Sequence, residues 1–585
     1  MAYWRFSVPP GLLTDDHREA IKEIPGVKIN RATIAIPENG AFVIEELLSS
    51  RGLPFTVGKP APRPRKDARL ALPWLREWVP KFLTSYQREG ILAALNMENA
   101  SGHLWWSGGA GKTLGAIVWA LAFGTQTTIV VTKAAIRNTW AREIETYCQG
   151  VIWRILEGVK VSEVEGLDSK RPTILVTGYD TLPSWIDKIE KLRPRCVIFD
   201  EVQYAKSWRR WSAALDTRLG QDGPELVPDD YEPKVTFSLK ENQTAACYRL
   251  SRIAHHRLAT TATPISDRVR DLWAQLDLVH PWEWGSFYVW ARRYAGAIEN
   301  PYGGIDTRGK SNLEELRKRV EFVRHRVPFS VANRELPPKR RLVTYVKVKD
   351  QARPLAIAAE IKAAMRGVKS GAEGRARLLE VRLMESASRK RPIVVAHTVD
   401  AVAAKLKVVI FTGRVKDSER LEKDIRTAVG EGVPIWQGTG ATPIGDPISP
   451  AEGTRYGMLD AYMKSPGPAV LIGTGEAWGT GLNIQDTDLA IMAMLPYTPR
   501  QIIQREARFA RLGQKRPVLI RYLLCEGTVD EHVAAILLNK LPAVEQATQS
   551  DEIHGLGREL VGASEEELLN SMLEKVLADP EGTGT

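Results

Sequence analysis

The stretch WSGGAGKTLGAIVWALAF, Trp106 to Phe123, decides the fold that the rest of the sequence completes. Glycines let backbone N–H groups close around phosphates, and the apolar pattern that follows predicts a helix whose N-terminus faces the same anion. Gly109 and Gly111 shape this loop, Lys112 would reach the β and γ phosphate oxygens, and Thr113 would bind Mg²⁺. The stretch therefore predicts a site for ATP and magnesium beside a parallel sheet.

A second motif, VIFDEVQ, places two acids at the end of an apolar strand. Asp200 can hold Mg²⁺ directly or through water, and Glu201 can polarise an attacking water. A chance GKT loop is the alternative, since Trp106 occupies the first glycine position of the full phosphate-loop pattern. LATTATPI then places Thr261 and Thr263 where small polar groups could link a nucleotide site to a nucleic-acid site. The three motifs in this order favour an ATPase.

The 585 residues contain two successive series of short apolar runs. TIVVT, ILVTG, VIFDE and LATTATP alternate with helical patterns, and KVVIFT, AVLIGT, LAIMAML and VLIRYLL repeat that rhythm after ELPPKRR. Such alternation is typical of parallel α/β sheets. The predicted class is α/β with two tandem lobes. The predicted boundaries are a small N-terminal α/β domain at 1–58, a Pro-rich basic linker at 59–79, lobe 1 at 80–335, lobe 2 at 336–545 and an acidic tail at 546–585.

Local signals also predict the elements of the N-terminal domain. YWRFSVP is a strand, LTDDHREAIKEI a helix with a Thr/Asp cap, VKINRATIAIP a pair of strands and AFVIEELLSSRG a helix that ends at Gly52. A polar insertion at 216–242 interrupts the first lobe. The lysine and arginine side chains of the linker either are simply solvated or contact DNA.

The composition is that of an ordinary globular protein, with 44% hydrophobic and 26% charged residues. No apolar run is long enough to cross a bilayer, and the N-terminus does not resemble a signal peptide. We therefore expect no membrane partner and an intracellular location, cytoplasmic in a bacterium or phage-infected cell and nuclear in a eukaryote. The four cysteines form no CxxC pair, which predicts buried thiols. A net charge of +11 permits a nucleic-acid partner.

The stretch QREARFARLGQ spaces three arginines at helical intervals, where they would repel each other unless they meet an anion. Lobe 1 leaves the transition-state charge of the γ-phosphate to be neutralised by other cations. We predict that Arg508 and Arg511 are these cations when the lobes close, and that Gln504, which completes the QxxxRxxR pattern, belongs to the same site, with a solvated basic helix as the alternative. In GTGEAWGTGLN, Gly479 would allow a nucleotide or nucleic-acid strand to approach the backbone closely. The alternative is that this stretch is a Gly-rich loop without such a role.

The ordered motifs SYQREGI, GGAGKT, VVTKAAIRNTWAREI, VTGYDTL, DEVQYAKS, TATPISDRVRDLWAQLDLVHP and QREARFARLGQ resemble those of superfamily 2 helicases of the Swi/Snf-like branch. Within it, the segment from RRYAGAIENPYGG to ELPPKRR resembles the HARP-type annealing helicases, and the N-terminal domain resembles a HARP-like DNA-recognition domain. The resemblance implies two RecA-like lobes, and it implies that Gln87 reads adenine. Thr132-Lys133 departs from the usual Cys-Pro, and TAT departs from TGT.

The expected activity is that of an ATP-dependent double-stranded DNA translocase that remodels or reanneals branched DNA, as the resemblance implies. Two rivals stay open. One is a strand-separating DNA or RNA helicase, which would need a strand-splitting wedge. The other is an ATP-switched DNA-binding factor that displaces or recruits protein partners, for which the acidic tail is a candidate contact.

Overall fold

The computed structural model shows two compact units, whose described residues lie between 3 and 332 in the first and between 339 and 534 in the second. The polar insertion at 216–242, the acidic tail and nearly all of the linker lie outside the described residues, as do Gly479 and Arg511. The described residues are 3–59, 83–148, 150–157, 170–205, 243–265, 268–300, 304–332, 339–347, 371–446, 449–478, 482, 484, 486–496, 499–509, 514, 516–526, 528–531 and 533–534.

The N-terminal domain is a four-stranded antiparallel sheet with two helices on one face. Its elements are β1 (Tyr3–Ser7), α1 (Asp15–Lys22), β2 (Lys28–Asn30), β3 (Thr33–Pro37), α2 (Ala41–Ser50) and β4 (Thr56–Gly58), with strand order β2-β3-β1-β4. Phe6, Ile34 and Ile36 point to the helices and are buried. Because side chains alternate along a strand, Arg5 and Lys28 lie on the opposite face, where they are exposed.

A seven-stranded parallel sheet forms the first lobe, in the order β13-β5-β10-β9-β6-β8-β7. Apolar strand residues are buried on both faces of the sheet, such as Val130 and Ile198 on one face and Val131 and Phe199 on the other, as continuous apolar strands require. Its elements are α3 (Ser85–Asn96), β5 (Gly102–Trp106), α4 (Lys112–Leu121), β6 (Thr127–Thr132), α5 (Arg137–Tyr147), β7 (Ile152–Ile155), β8 (Thr173–Gly178), α6 (Leu182–Lys191), β9 (Cys196–Asp200), α7 (Gln243–Ile253), β10 (His256–Thr261), α8 (Asp271–Val279), α9 (Phe287–Tyr294), the antiparallel hairpin β11 (Ile298–Asn300) and β12 (Gly304–Asp306), α10 (Leu313–Glu321), β13 (Arg324–Val327) and α11 (Phe329–Ala332).

The second unit contains a six-stranded parallel sheet in the order β14-β19-β18-β15-β17-β16. Its elements are β14 (Lys339–Val346), α12 (Gly371–Ala403), β15 (Lys407–Thr412), α13 (Val415–Val429), β16 (Ile435–Gly438), α14 (Arg455–Lys464), β17 (Ala469–Thr474), α15 (Gly475–Trp478), β18 (Leu489–Met492), α16 (Pro499–Glu506) and β19 (Val518–Cys525). The predicted α/β class with two parallel-sheet lobes is confirmed. The four cysteines are free and buried, as expected. None of the described helices is long and apolar enough to cross a membrane.

A buried arginine fastens the N-terminal domain to the first lobe. Arg319 on α10 is fully buried, and its Nε and Nη2 donate to Asn39 Oδ1 at 3.2 and 2.8 Å. Nη2 also donates to the Pro25 carbonyl at 3.0 Å, and Nη1 donates to the Tyr294 hydroxyl at 3.0 Å. Asn39 Nδ2 in turn donates to Glu283 Oε2 at 3.1 Å. We call these five residues the Arg319 joint, and they make the domain part of the first unit.

Candidate active site

The phosphate loop lies between β5 and the first residue of α4, as its sequence predicts. Gly109 has φ +83° and Gly111 has φ +74°, in the left-handed backbone region that residues other than glycine rarely adopt. A Cβ on Gly111 would lie 2.2 Å from Gln87 Nε2. Both glycines are therefore required by the loop conformation, and the second one is also required by a neighbouring side chain.

The side chain of Lys112 turns back over its own loop. Its Nζ donates to the carbonyl oxygens of Trp106 and Ser107, at 3.0 and 3.1 Å. Thr113 follows in the first turn of α4 and is half-buried. Because carbonyl oxygens and phosphate oxygens are both acceptors, a phosphate could take over the hydrogen bonds of this ammonium group without a large movement of the backbone.

Gln87 supports the phosphate loop from α3. Its side chain is 4% exposed, its Oε1 accepts a hydrogen bond from Thr84 N at 2.9 Å, and its Nε2 donates to the Ala110 carbonyl at 3.0 Å. Both polar ends of the amide are thus bonded to the protein backbone. The structure shows a residue that positions the loop, while adenine recognition by Gln87 stays a prediction.

Asp200 is held by three hydrogen-bond donors at the end of β9. Its Oδ2 accepts from Thr132 Oγ1 and Trp140 Nε1, each at 2.9 Å, and its Oδ1 accepts from Thr260 Oγ1 at 2.6 Å. The residue is only 4% exposed. Burial, and then the charge of Glu201, raise the pKa of Asp200, while the three donors oppose that rise.

These features fit a magnesium site of the kind that phosphate-loop enzymes share between protein and nucleotide. A divalent cation would favour the ionised form of the buried Asp200 carboxylate. The described residues contain no cluster of three or more His, Cys, Asp or Glu side chains that could hold a metal alone. Thr113 and Asp200, together with phosphate oxygens, suit a Mg²⁺ ion, which usually takes few protein ligands.

Glu201 follows Asp200 in a left-handed conformation, with φ +51°. Its carboxylate accepts a hydrogen bond from Gln203 Nε2. Non-glycine residues adopt this region at some cost, and such strain is common at functional sites. The observed conformation suits the predicted role of Glu201 toward water, which stays a prediction.

The three donors to Asp200 were not predicted. Thr132 could have been found, because β6 and β9 are parallel neighbours in which Val131 pairs with Phe199, so the next residues also lie side by side. Thr132, which stands where the resemblance leads one to expect cysteine, thus supplies a hydroxyl that donates to the acidic motif. No local pattern indicated that the indole of Trp140 on α5 would reach the same oxygen.

Thr261 and Thr263, which were predicted to link two sites, form a turn with each other. Thr263 N donates to Thr261 Oγ1 at 2.9 Å, and both residues are buried. The neighbouring Thr260 is the residue that contacts the acidic motif. A linking role for the turn stays a prediction.

Arg508 is buried in the second unit. It is 6% exposed, and it donates from Nε to the Gln504 carbonyl at 3.1 Å and from Nη1 to the Leu482 carbonyl at 3.2 Å. Ile484 N donates to the Arg508 carbonyl at 3.1 Å. In this conformation Arg508 is hydrogen-bonded to Gln504, Leu482 and Ile484 of its own unit. The roles of Gln504, Arg508 and Arg511 toward phosphate stay predictions.

Glu506, which the sequence did not single out, anchors the same helix, α16. It is 1% exposed and accepts hydrogen bonds from Lys339 Nζ at 2.8 Å, from Arg341 Nε and Nη2 at 2.6 Å, and from the Tyr522 hydroxyl at 2.8 Å. Burial would raise the pKa of Glu506, but the charges and hydrogen bonds of Lys339 and Arg341 lower it to about 2.

The low pKa of Glu506 predicts an acid dependence of stability. The folded value is about 2 and the ordinary value is 4.5, so this stabilisation is complete above about pH 4.5 and is lost as pH falls toward 2. The difference in unfolding free energy between the wild type and Glu506→Gln should shrink over this window, by at most about 1.4 kcal/mol per pH unit. Denaturant titrations at several pH values measure it. A constant difference would contradict the assignment.

Comparisons with known proteins confirm the resemblance to Swi/Snf-related proteins. Residues 238–394 match the model of the SNF2-related domain. The chain is 24% identical over 486 residues to the SWI/SNF-related matrix-associated actin-dependent regulator of chromatin subfamily A-like protein 1 of Xenopus laevis, covering 80% of this chain and 44% of the relative. It is 24% identical over 506 residues to the mouse DNA annealing helicase and endonuclease ZRANB3, covering 82% of this chain and 43% of the relative.

The chain thus spans about half the length of the curated relatives it matches, with individual shares between 40% and 62%. Among solved structures, the Sulfolobus solfataricus SWI2/SNF2 ATPase core in complex with dsDNA covers 82% of this chain and 97% of its own, with 18% identity and a TM-score of 0.34.

Proposed function

We propose that the chain is an ATP-dependent double-stranded DNA translocase that remodels or reanneals branched DNA. The observation that carries the proposal is the position of the buried Asp200. Thr132, Trp140 and Thr260 donate hydrogen bonds to its carboxylate, and its strand, β9, belongs to the same sheet as β5, which leads into the phosphate loop. The match to an SNF2-related domain supports the DNA-dependent part. A DNA substrate fits the cytoplasm of a bacterium or infected cell, or the nucleus of a eukaryote.

In this proposal the residues of the first lobe bind and orient ATP. Backbone N–H groups of the loop and Lys112 bind the phosphates, and Lys112 exchanges its two loop carbonyls for phosphate oxygens. Thr113 and Asp200 would hold Mg²⁺, which would neutralise phosphate charge. Glu201 orients the attacking water. Arg508, after leaving its carbonyl partners, and Arg511 add positive charge at the transferred group.

DNA contact in this proposal includes the N-terminal domain. The sheet face opposite its helices carries Arg5, Lys28 and Asn30, all exposed, at positions that alternate with the buried core residues. Cationic and amide side chains on an open sheet suit phosphate contacts that do not depend on base sequence. This placement agrees with the predicted HARP-like role of residues 1–58.

Steady-state ATP hydrolysis with different nucleic acids tests the proposal against its rivals. The proposal expects strong stimulation by duplex or forked DNA, and little by single-stranded DNA or RNA. Equal or greater stimulation by single strands or RNA would favour the strand-separating helicase. The absence of stimulation by any of them would favour the ATP-switched binding factor, which requires only nucleotide-dependent binding.

Trp140→Phe should raise the Mg²⁺ concentration for half-maximal ATP hydrolysis about tenfold, because it removes a hydrogen-bond donor to a proposed metal ligand. The ring still fills most of the same space. Trp185→Phe is the matched control, since Trp185 is also buried and its indole N–H makes no hydrogen bond. Magnesium titrations of both variants measure the effect. Equal magnesium requirements in the two variants would contradict the positioning role of Trp140.

A further inference from the structure

Three arginines of the first lobe gather around the end of the β11–β12 hairpin. Arg308 donates from Nε to both oxygens of Asp306 at 3.0 Å and from Nη2 to Oδ2 at 2.8 Å. Arg270 Nη1 donates to Thr307 Oγ1 at 2.9 Å. The hydrogen bonds of Arg308, and more weakly the charge of Arg268, lower the pKa of Asp306. We call Arg268, Arg270 and Arg308 the arginine surface. Two carboxylates lie among these three guanidinium groups, that of Asp306 and that of Asp271, whose Oδ1 lies 4.0 Å from Arg270 Nε, so the described side chains here carry one excess positive charge.

The base of the hairpin is held firmly between α9 and α10. Arg293 forms a forked pair with Glu315, and Ser311 Oγ donates to the Arg293 carbonyl at 2.6 Å. Gly296 N donates to Ser311 Oγ at 3.0 Å, and the Tyr294 hydroxyl donates to Glu315 Oε1 at 2.6 Å. The same hydroxyl accepts a hydrogen bond within the Arg319 joint. The hairpin base therefore has a fixed position on the lobe.

The other two arginines lie at the start of α8, where hydrogen bonds hold the neighbouring backbone. Arg268 N donates to Asp271 Oδ2 at 3.4 Å, and Gln275 Nε2 donates to the carbonyls of Pro264 and Asp271, at 2.7 and 3.0 Å. Arg270 immediately precedes that helix. A charged surface on fixed backbone loses little conformational entropy on binding, so it suits a partner of regular shape.

An exposed apolar side chain lies beside these charges. Ile298 pairs with Asp306 across the hairpin and is 72% exposed. The side chain of Arg308 is 53% exposed and that of Arg270 is 30% exposed. Guanidinium groups bind phosphate oxygens, and an aliphatic group can pack on a sugar. This combination fits a nucleic-acid backbone better than it fits a purely acidic peptide.

We propose that the arginine surface, with Ile298, contacts the phosphate backbone of duplex DNA. This inference rests on the proposed function, because it adds a contact to the same substrate. The contact lies on the first lobe and is separate from the open sheet face of the N-terminal domain. It is sequence-independent, since phosphates are the same at every base pair.

The test compares Arg308→Ser with Arg317→Ser in the full-length chain, by fluorescence anisotropy on a labelled duplex without nucleotide. Arg317 is the matched control, because it forms the same kind of fork with Glu314 on the surface of α10. Arg308→Ser should weaken binding about fivefold and lower the slope of log affinity against log salt by about 0.9. Arg317→Ser should change neither quantity. Thermal melting checks that both variants are folded.

An Arg308→Glu variant should weaken binding further than Arg308→Ser does, while Arg317→Glu should have a smaller effect. Equal salt slopes for Arg308→Ser and the wild type would overturn the inference and leave the proposed function standing. So would an equal loss in both serine variants, which would indicate a general effect of charge. A wild type that shows no salt-dependent binding to duplex DNA would overturn the proposed function as well.

Discussion

Replacing Lys112 by alanine is expected to lower the rate of DNA-stimulated ATP hydrolysis by about a hundredfold or more. Removing one well-placed donor to a transition-state anion typically costs about 3 to 4 kcal/mol. The change also deprives the carbonyls of Trp106 and Ser107 of a donor, but that loss should cost only about 1 kcal/mol of stability. Activity should therefore fall while the fold persists.

Lys191→Ala is the control for this change, since Lys191 is exposed at the last residue of α6. It should retain full hydrolysis. Steady-state ATPase rates and melting temperatures of both variants provide the comparison. A Lys112→Ala protein that hydrolyses ATP at the wild-type rate would mean that the phosphate loop is not the site of hydrolysis.

Replacing Arg319 by methionine should lower the free energy of opening the contact between the N-terminal domain and the first lobe by about 3 kcal/mol or more. The change leaves the buried oxygens of Asn39 and Pro25 without their donor. Hydrogen exchange in residues 24–40 measures this opening directly. Arg317→Met is the control, because Arg317 on the same helix is partly exposed and pairs with Glu314 outside the joint; it should change this free energy by about 0.5 kcal/mol or less.

Exchanging the amide of Asn39 and the carboxylate of Glu283 tests whether their hydrogen bond, and not packing alone, stabilises the joint. Asn39→Asp places a carboxylate against that of Glu283, whose Oε2 now lies 3.1 Å from Asn39 Nδ2. Adding Glu283→Gln restores a donor at that position. Exchange in residues 24–40 should therefore be faster in Asn39→Asp and largely recover in the double variant. A double variant as unstable as the sum of the two single changes would contradict the joint.

The sequence predicted the features that depend on local pattern. The helix at Asp15–Lys22 has Thr14 as its cap, and apolar runs such as Cys196–Asp200 became strands of parallel sheets. The phosphate loop was also recognisable, because its glycines and lysine are contiguous and their backbone requirements are fixed by residue type. Such signals are complete within about ten residues, so they need no tertiary context.

The features that escaped prediction depend on partners brought together by folding. Asn39 and Arg319 are 280 positions apart, and Trp140 and Asp200 are 60 apart. The spacing of Arg508 did not indicate that its side chain is buried and donates to backbone carbonyls. Periodicity places a residue on a helix face, whereas tertiary packing decides what that face contacts.

Displacement of a third strand from a DNA triplex tests the central claim most directly, because it detects motion along a duplex whose two strands stay paired. The wild type should release the third strand when ATP and Mg²⁺ are present, and Lys112→Ala should not. A wild type that hydrolyses ATP on duplex DNA but leaves the triplex intact, or that separates the duplex strands instead, would contradict the proposed translocase.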